Sequence, residues 1–443
     1  TVILYLPKST MKQDCDLMDS VTIKPSKLSG TIKPPNSKSY THRALCLSLL
    51  SNSPTIIVNP LLSRDTNASL DSCLKFGSEI NNLDSSLELI PPSKLSNPGK
   101  FNVENSGTTL RFLTSISALV PDGEITITGD SSIQKRPMQP LLDSLNDLGV
   151  SCQSIDNDGT PPILVKGGGI RGGTTEISGS ISSQFVSSLL ISCSKAEQET
   201  NIKLIEPIVS GPYIDSTLYM IDKFGGLVTR KNNVFTVQPG KYSCNKINIP
   251  SDFSAAAFLF TGAILSSGEV TVIMDGQEMP QADKNILDII SQMGAFVNTN
   301  PQDSSFTISS EGSLNGGTFD LSSCPDLLPV VSVLSLLCSN SVKITGIEHT
   351  KYKESNRMKL ISEELQKTGA NIVESEHSLV IDSPNSIKPC RLNSYDDHRL
   401  FMAFSLIGLY SEGIEVVGRK SIDVSYPDFI DDINSLSGKM VIN

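Results

Sequence analysis

The chain has no CxxC pair, no cysteine and histidine cluster at zinc-ligand spacing, no apolar run of membrane-spanning length and no excess of positive charge. Each absence excludes a class of protein. Nine scattered cysteines form no framework, which argues against a disulfide scaffold or a zinc site and leads us to expect reduced thiols in a cytoplasmic protein. The longest apolar stretches, such as residues 255–265, fall well short of the roughly 20 residues that cross a bilayer, so no membrane contact is expected. A formal net charge of −11 opposes nucleic acid as the main partner, and any cationic site must be local. The opening "TVILYLPKST" lacks the basic start and small-residue cleavage site of a secretory signal. With Met11 and Met18 close behind, residues 1–20 read as a short extension outside the fold.

What the chain does have is a repeat. With 443 residues and 38% hydrophobic content, two domains are expected rather than one. Six segments share a polar start, small apolar residues at helical spacing, a turn and a β-branched strand, as in "NSKSYTHRALCLSLLSNSPTIIVN" and "YDDHRLFMAFSLIGLYSEGIEVVG". Taking Lys38, Thr108, Ser183, Ser254, Asp326 and Asp397 as helix starts, the steps are 70, 75, 71, 72 and 71 residues. Second helices of mixed charge, such as "RPMQPLLDSLNDLG", lie between the copies. Each unit is expected to hold two strands and a helix, repeated with variation, in an α/β protein built from sheets.

Core packing accounts for the Ala, Leu, Ser and Phe of these helices. It does not account for their first residues: Lys38 with Ser39, Asn105 with Thr108, Ser182 with Ser183 and Gln184, then Asp252, Asp326, and His398 with Arg399. Unpaired N–H groups and the positive dipole end make converging helix N-termini an anion site, although for any single Ser ordinary capping is the simpler account.

The segments "PPNSKSYTHRAL", "ENSGTTLRFL", "QKRPMQPL", "SSQFVSSLL", "SGPYIDSTL", "CPDLLP", "KYKESNR" and "YDDHR", in this order, resemble the 3-phosphoshikimate 1-carboxyvinyltransferases, or EPSP synthases, from about Val21 onward. Their wording is nearer to archaeal members than to enteric bacterial ones. The resemblance implies an α/β enolpyruvyl transferase fold of two domains, each with three βαββαβ-like units around a pseudo-threefold axis. Residues 21–33 and 251–443 would form the first domain and residues 34–250 the second, joined by two crossovers. The implied reaction is attack of the 5-hydroxyl of shikimate 3-phosphate on C2 of phosphoenolpyruvate, with loss of phosphate from a tetrahedral intermediate. No metal or organic cofactor is implied, and a monomer is expected.

The residue chemistry fits that reaction. Each substrate carries a carboxylate and a phosphate, together roughly −5 to −6, and the matched motifs supply Lys38, Arg43, Arg111, Arg136, Lys353, Arg357 and Arg399. By correspondence, Lys38, Ser39, Arg43, Asp326 and Lys353 meet shikimate 3-phosphate, while Ser182, Ser183 and Ser210 hold its phosphate. Gln184 bridges the substrates and Tyr213 lines the ring pocket. Phosphoenolpyruvate would be gripped by Lys38, Arg111, Arg136, Arg357 and Arg399, with Gly107 letting the backbone approach. Arginine suits that task because its planar fork binds an anion in two places. Asp326, Glu354 and Lys38 are the catalytic candidates: Asp326 would take the 5-hydroxyl proton and Glu354 would protonate the methylene carbon. Read alone, "KYKESNRMK" is a solvated helix start, His398 a structural histidine and Arg111 the partner of a carboxylate.

Three positions depart from the family pattern. "DVSYP" places Val424 where a lysine is usual, leaving Lys420 as the lysine that could reach in, while His349 replaces a frequent asparagine and Glu104 a frequent glycine. Other readings fit less well. A UDP-N-acetylglucosamine enolpyruvyl transferase would have asparagine where Ser39 follows Lys38, and a loop cysteine that is missing between Arg111 and Arg136. An RNA 3'-phosphate cyclase would want a basic surface. A binding module without turnover draws support from Val424 but not from the retained Asp326, Glu354 and Arg357.

Overall fold

The computed structural model describes residues 19–443, so the expected extension lies almost wholly outside the described residues. Its last residue, Ser20, instead opens a strand and pairs with Val417. Six helices form the core: α1 (Lys38–Leu49), α2 (Gly107–Ser117), α3 (Ser183–Ser192), α4 (Phe253–Leu265), α5 (Leu328–Leu334) and α6 (His398–Tyr410). Their starts fall within two residues of the expected positions. In α4 every residue except Ser254 is buried, the condition of a helix that is apolar all round and packed on all sides.

Among the described residues six four-stranded sheets surround these helices. In a representative unit, Lys100–Asn102 runs parallel to Glu124–Thr128 across α2, the helix Gln139–Asp147 follows, and Cys152–Ser154 and Ile163–Lys166 add antiparallel strands. The unit therefore runs βαβαββ with four strands and two helices, which corrects both the expected βαββαβ order and the count of two strands and a helix. A parallel pair needs a long crossover, here a helix, whereas the antiparallel pair closes through a loop. The missed strands are outer ones such as Glu79–Leu83 and Phe296–Asn300, which are mostly exposed and show no buried alternation.

Two sheets are completed across the chain: Ser29–Ile32 pairs in parallel with Glu269–Ile273, and Lys246–Asn248 with Thr55–Val58. Apolar side chains gather in two clusters, one from residues 21–28 and 253–440, the other from residues 40–249 with Met279. Between them the chain passes twice, side by side. There the Ser37 N–H donates to the Pro250 carbonyl at 2.7 Å and the Asp252 N–H to the Pro35 carbonyl at 2.9 Å.

Glu104 shows why glycine is frequent at its position. Its φ is 54°, in the left-handed region that costs a side-chain-bearing residue about 1–2 kcal/mol. Glu104→Gly should remove that strain, and after the larger entropy of an unfolded glycine a net gain of about 0.5–1 kcal/mol is expected. A urea melt would read it as a higher midpoint at unchanged slope.

Candidate active site

Five of the six helix starts, all but that of α4, contribute to a cleft between the two apolar clusters. One wall carries Lys38, Ser39 and Arg43 of α1, Gly107 and Arg111 of α2, and Ser182, Ser183 and Gln184 at the start of α3, with Arg136, Ser210 and Tyr213 beside them. The opposite wall carries Asp326, Lys353, Glu354 and Arg399. Every residue expected at the site except Arg357 thus lines one cleft. Several starts are also capped: Ser182 Oγ accepts the Gln184 N–H at 3.3 Å, and Asp397 accepts the Arg399 N–H at 3.0 Å. Asp252 caps α4 through one oxygen and accepts the Lys38 N–H through the other, at 3.0 Å.

Arg357 is the departure. It is fully buried beneath the cleft, and its Nε meets Asp397 at 2.8 Å, Nη1 meets Asp326 at 2.8 Å and Nη2 meets Glu354 at 2.7 Å. Its fork is spent on three carboxylates rather than offered to a ligand. Asp326 also faces Arg399 Nη2 at 3.0 Å and Lys353 Nζ at 3.4 Å. Burial alone would raise both acids. Instead Arg399, Lys353 and Arg357 hold Asp326 well below the usual carboxylate range, and Arg357 and Arg136 do the same for Glu354.

The cations of the other wall differ in how they are engaged. Arg43 is held in place by three of its five N–H groups, which donate to Thr217 Oγ1 and to the carbonyls of Ser39 and Tyr213 at 2.8–2.9 Å. Among the described residues Arg111 has no carboxylate partner, against the simpler reading of it. Its Nη1 donates to Gln184 Oε1 at 2.9 Å and to the Gly107 carbonyl at 3.2 Å, and burial with Arg136 nearby pushes its pKa down to about 9. A Cβ on Gly107 would collide with Arg136 and lie 2.7 Å from Arg111 Nη1, so a larger residue would push both guanidinium tips away from the start of α2.

Sequence reasoning missed Asp65, whose Oδ2 holds Lys38 Nζ at 2.8 Å and lies 3.5 Å from His42 Nε2. The available signal was slight: an acid in the first turn of the helix Arg64–Lys75, capped by Ser63. His349, noted only as a departure, lines the cleft with both ring nitrogens unpartnered, and burial pushes its pKa down to about 4. His398 is fully buried outside the lining and burial pushes it to about 3, so it is neutral. Val424 is buried in the short turn Arg419–Val424, and exposed Lys420 does not line the cleft. Among the described residues no group of three His, Cys, Asp or Glu side chains is placed to hold a metal ion, and no helix is long and apolar enough to cross a membrane.

Cations and ionised acids facing one another across a divided cleft suit a pair of small anionic ligands, and comparison with known proteins agrees. A family model described as EPSP synthase (3-phosphoshikimate 1-carboxyvinyltransferase) matches residues 22–433. A protein of that name from Nitrosopumilus maritimus is 40% identical over 94% of this chain and 98% of its own length. Another from Methanocaldococcus jannaschii is 37% identical over 95% of this chain and 98% of its own. The solved EPSP synthase of Acinetobacter baumannii superposes with a TM-score of 0.80 over 96% of this chain and all of that one at 24% identity, a likeness of fold. With the fold, the cleft and the full-length match together, the chain belongs to the EPSP synthase (3-phosphoshikimate 1-carboxyvinyltransferase) family.

Proposed function

We propose that this protein transfers the enolpyruvyl group of phosphoenolpyruvate to the 5-hydroxyl of shikimate 3-phosphate and releases phosphate, a step toward chorismate and the aromatic amino acids. The observation that carries the reading is the lining of a single cleft by fifteen of the sixteen residues expected from the sequence. Shikimate 3-phosphate would lie against Lys38, Ser39, Arg43, Ser182, Ser183, Ser210 and Tyr213, with Gln184 between the two substrates. Phosphoenolpyruvate would lie against Arg111, Arg136 and Arg399 over Gly107, with Arg357 setting the acids behind it rather than gripping the ligand.

Asp326 takes the 5-hydroxyl proton. Glu354 begins ionised; the incoming phosphoenolpyruvate brings negative charge beside it and competes for Arg136, so Glu354 takes a proton from water before the walls close and delivers it to the methylene carbon. Exclusion of water between the walls strengthens each of these interactions.

The two apolar clusters support domain limits of 21–33 with 251–443 and 34–250, moved by one residue at Ser20. Both walls of the cleft come from one chain, which supports a monomer, and the eight unpaired cysteines among the described residues suit the reducing cytoplasm. Phosphate release from phosphoenolpyruvate should require shikimate 3-phosphate. Silence with both substrates present would overturn the transferase. Gly107→Ala should raise the KM for phosphoenolpyruvate by about ten- to a hundredfold, the equivalent of about 1–3 kcal/mol of overpacking, and leave that for shikimate 3-phosphate nearly unchanged.

A further inference from the structure

One buried acid beside the cleft has no task in this scheme. Asp283 sits in the turn Ala282–Asn285, 2% exposed, with Oδ1 unpartnered. Its Oδ2 accepts from Ser254 Oγ and lies 3.3 Å from the Tyr213 hydroxyl. That same hydroxyl lies 3.4 Å from Asp326 Oδ2. A phenol has one proton and here faces two carboxylates, so only one can be its acceptor at a time. We infer that Asp283 stores the proton that Asp326 takes from the substrate hydroxyl, receiving it through Tyr213.

The inference rests on the Asp326 reading and deepens it. As the 5-hydroxyl oxygen bonds to carbon, its proton passes to Asp326 Oδ2. The Asp326 O–H then donates to Tyr213 Oη while the Tyr213 proton moves to Asp283 Oδ2. Asp326 is left anionic, Tyr213 neutral and Asp283 neutral. The reverse shift returns the proton through Asp326 to the departing phosphate, and the enzyme is unchanged.

The direction of transfer follows from the surroundings. Asp326 is gripped by three cations and holds a proton poorly. Asp283 faces Asp326, Asp252, Tyr213, Ser254, Cys324 and one cation, Arg399. Burial and the Asp326 charge push it up to about 6. The two contacts of the Tyr213 hydroxyl are longer than settled O–H···O bonds, as catalytic contacts often are before substrate tightens them.

The test is kcat and KM across the pH range for Asp283→Asn, Tyr213→Phe, the double variant and Asp326→Asn. Asp283→Asn should lower kcat about ten- to a hundredfold with both KM values nearly unchanged, and should remove an acid limb near pH 6 from the kcat profile. Above that pH wild-type Asp283 is ionised and can receive the proton; below it the store is already full. Tyr213→Phe should remove the same limb, and the double variant should be no slower than the slower single. Asp283→Asn with wild-type kcat and an intact limb, or additive losses in the double variant, would overturn the store while Asp326 stands. Wild-type turnover in Asp326→Asn would instead remove the base itself.

Discussion

Asparagine at position 326 is expected to lower turnover by about 10²–10⁴-fold while both substrates still bind, because the amide keeps the shape and loses the capacity to take a proton. The geometry makes this the most sensitive position in the cleft. Asp326 is the only carboxylate among the described residues that meets Arg357, Arg399 and Lys353 together, at 2.8, 3.0 and 3.4 Å. Those cations keep it ionised and fix its orientation, so in the wild type no proton has to be lost before the reaction begins. Steady-state kinetics would read a fall in kcat and in kcat/KM together, the mark of an interaction made in the transition state. A rise in KM at unchanged kcat would assign Asp326 to binding alone.

Removal of the Arg357 guanidinium should produce the largest loss of stability. Arg357→Met fills much of the same space but leaves Asp397, Asp326 and Glu354 facing one another without their shared cation. Breaking a buried pair from one side costs about 3–5 kcal/mol, and three acids here depend on the same partner. The pH dependence has a definite sign. In the wild type the three carboxyls titrate below their unfolded values, so their contribution is present above the unfolded carboxylate range and is lost as pH falls. In the variant they are relieved by protonation, so the gap between the two urea midpoints should narrow as the solution is acidified. A gap independent of pH would show that Arg357 stabilises by packing alone.

The repeat and the cleft were legible in the sequence because polar residues at the start of an apolar helix have few uses. Lys38, Gln184 and Arg399 stand where a core helix needs no charge or amide, and each lines the cleft. The outer strands were not legible, since Glu79–Leu83 is exposed nearly throughout and has no apolar face to betray it. Nor was the inward turn of Arg357, because a motif gives the order of residues and not which side of a helix start meets the ligand. Asp65 and Asp283 lie in "SRDTN" and "QADKN", where an isolated aspartate reads as a turn residue. Only the fold brings one to Lys38 and the other to Tyr213.

The pairing of early strands with late ones inside the discontinuous half also sets an order on the ribosome. Ser20–Lys24 and Ser29–Ile32 come first among the described strands, yet their partners are Ile414–Val417, Lys439–Ile442 and Glu269–Ile273. The cluster built from residues 40–249 needs almost nothing synthesised later, only Met279. The nascent chain therefore carries two strands with open edges while the intervening half closes, and the half those strands belong to is finished after the one enclosed within it.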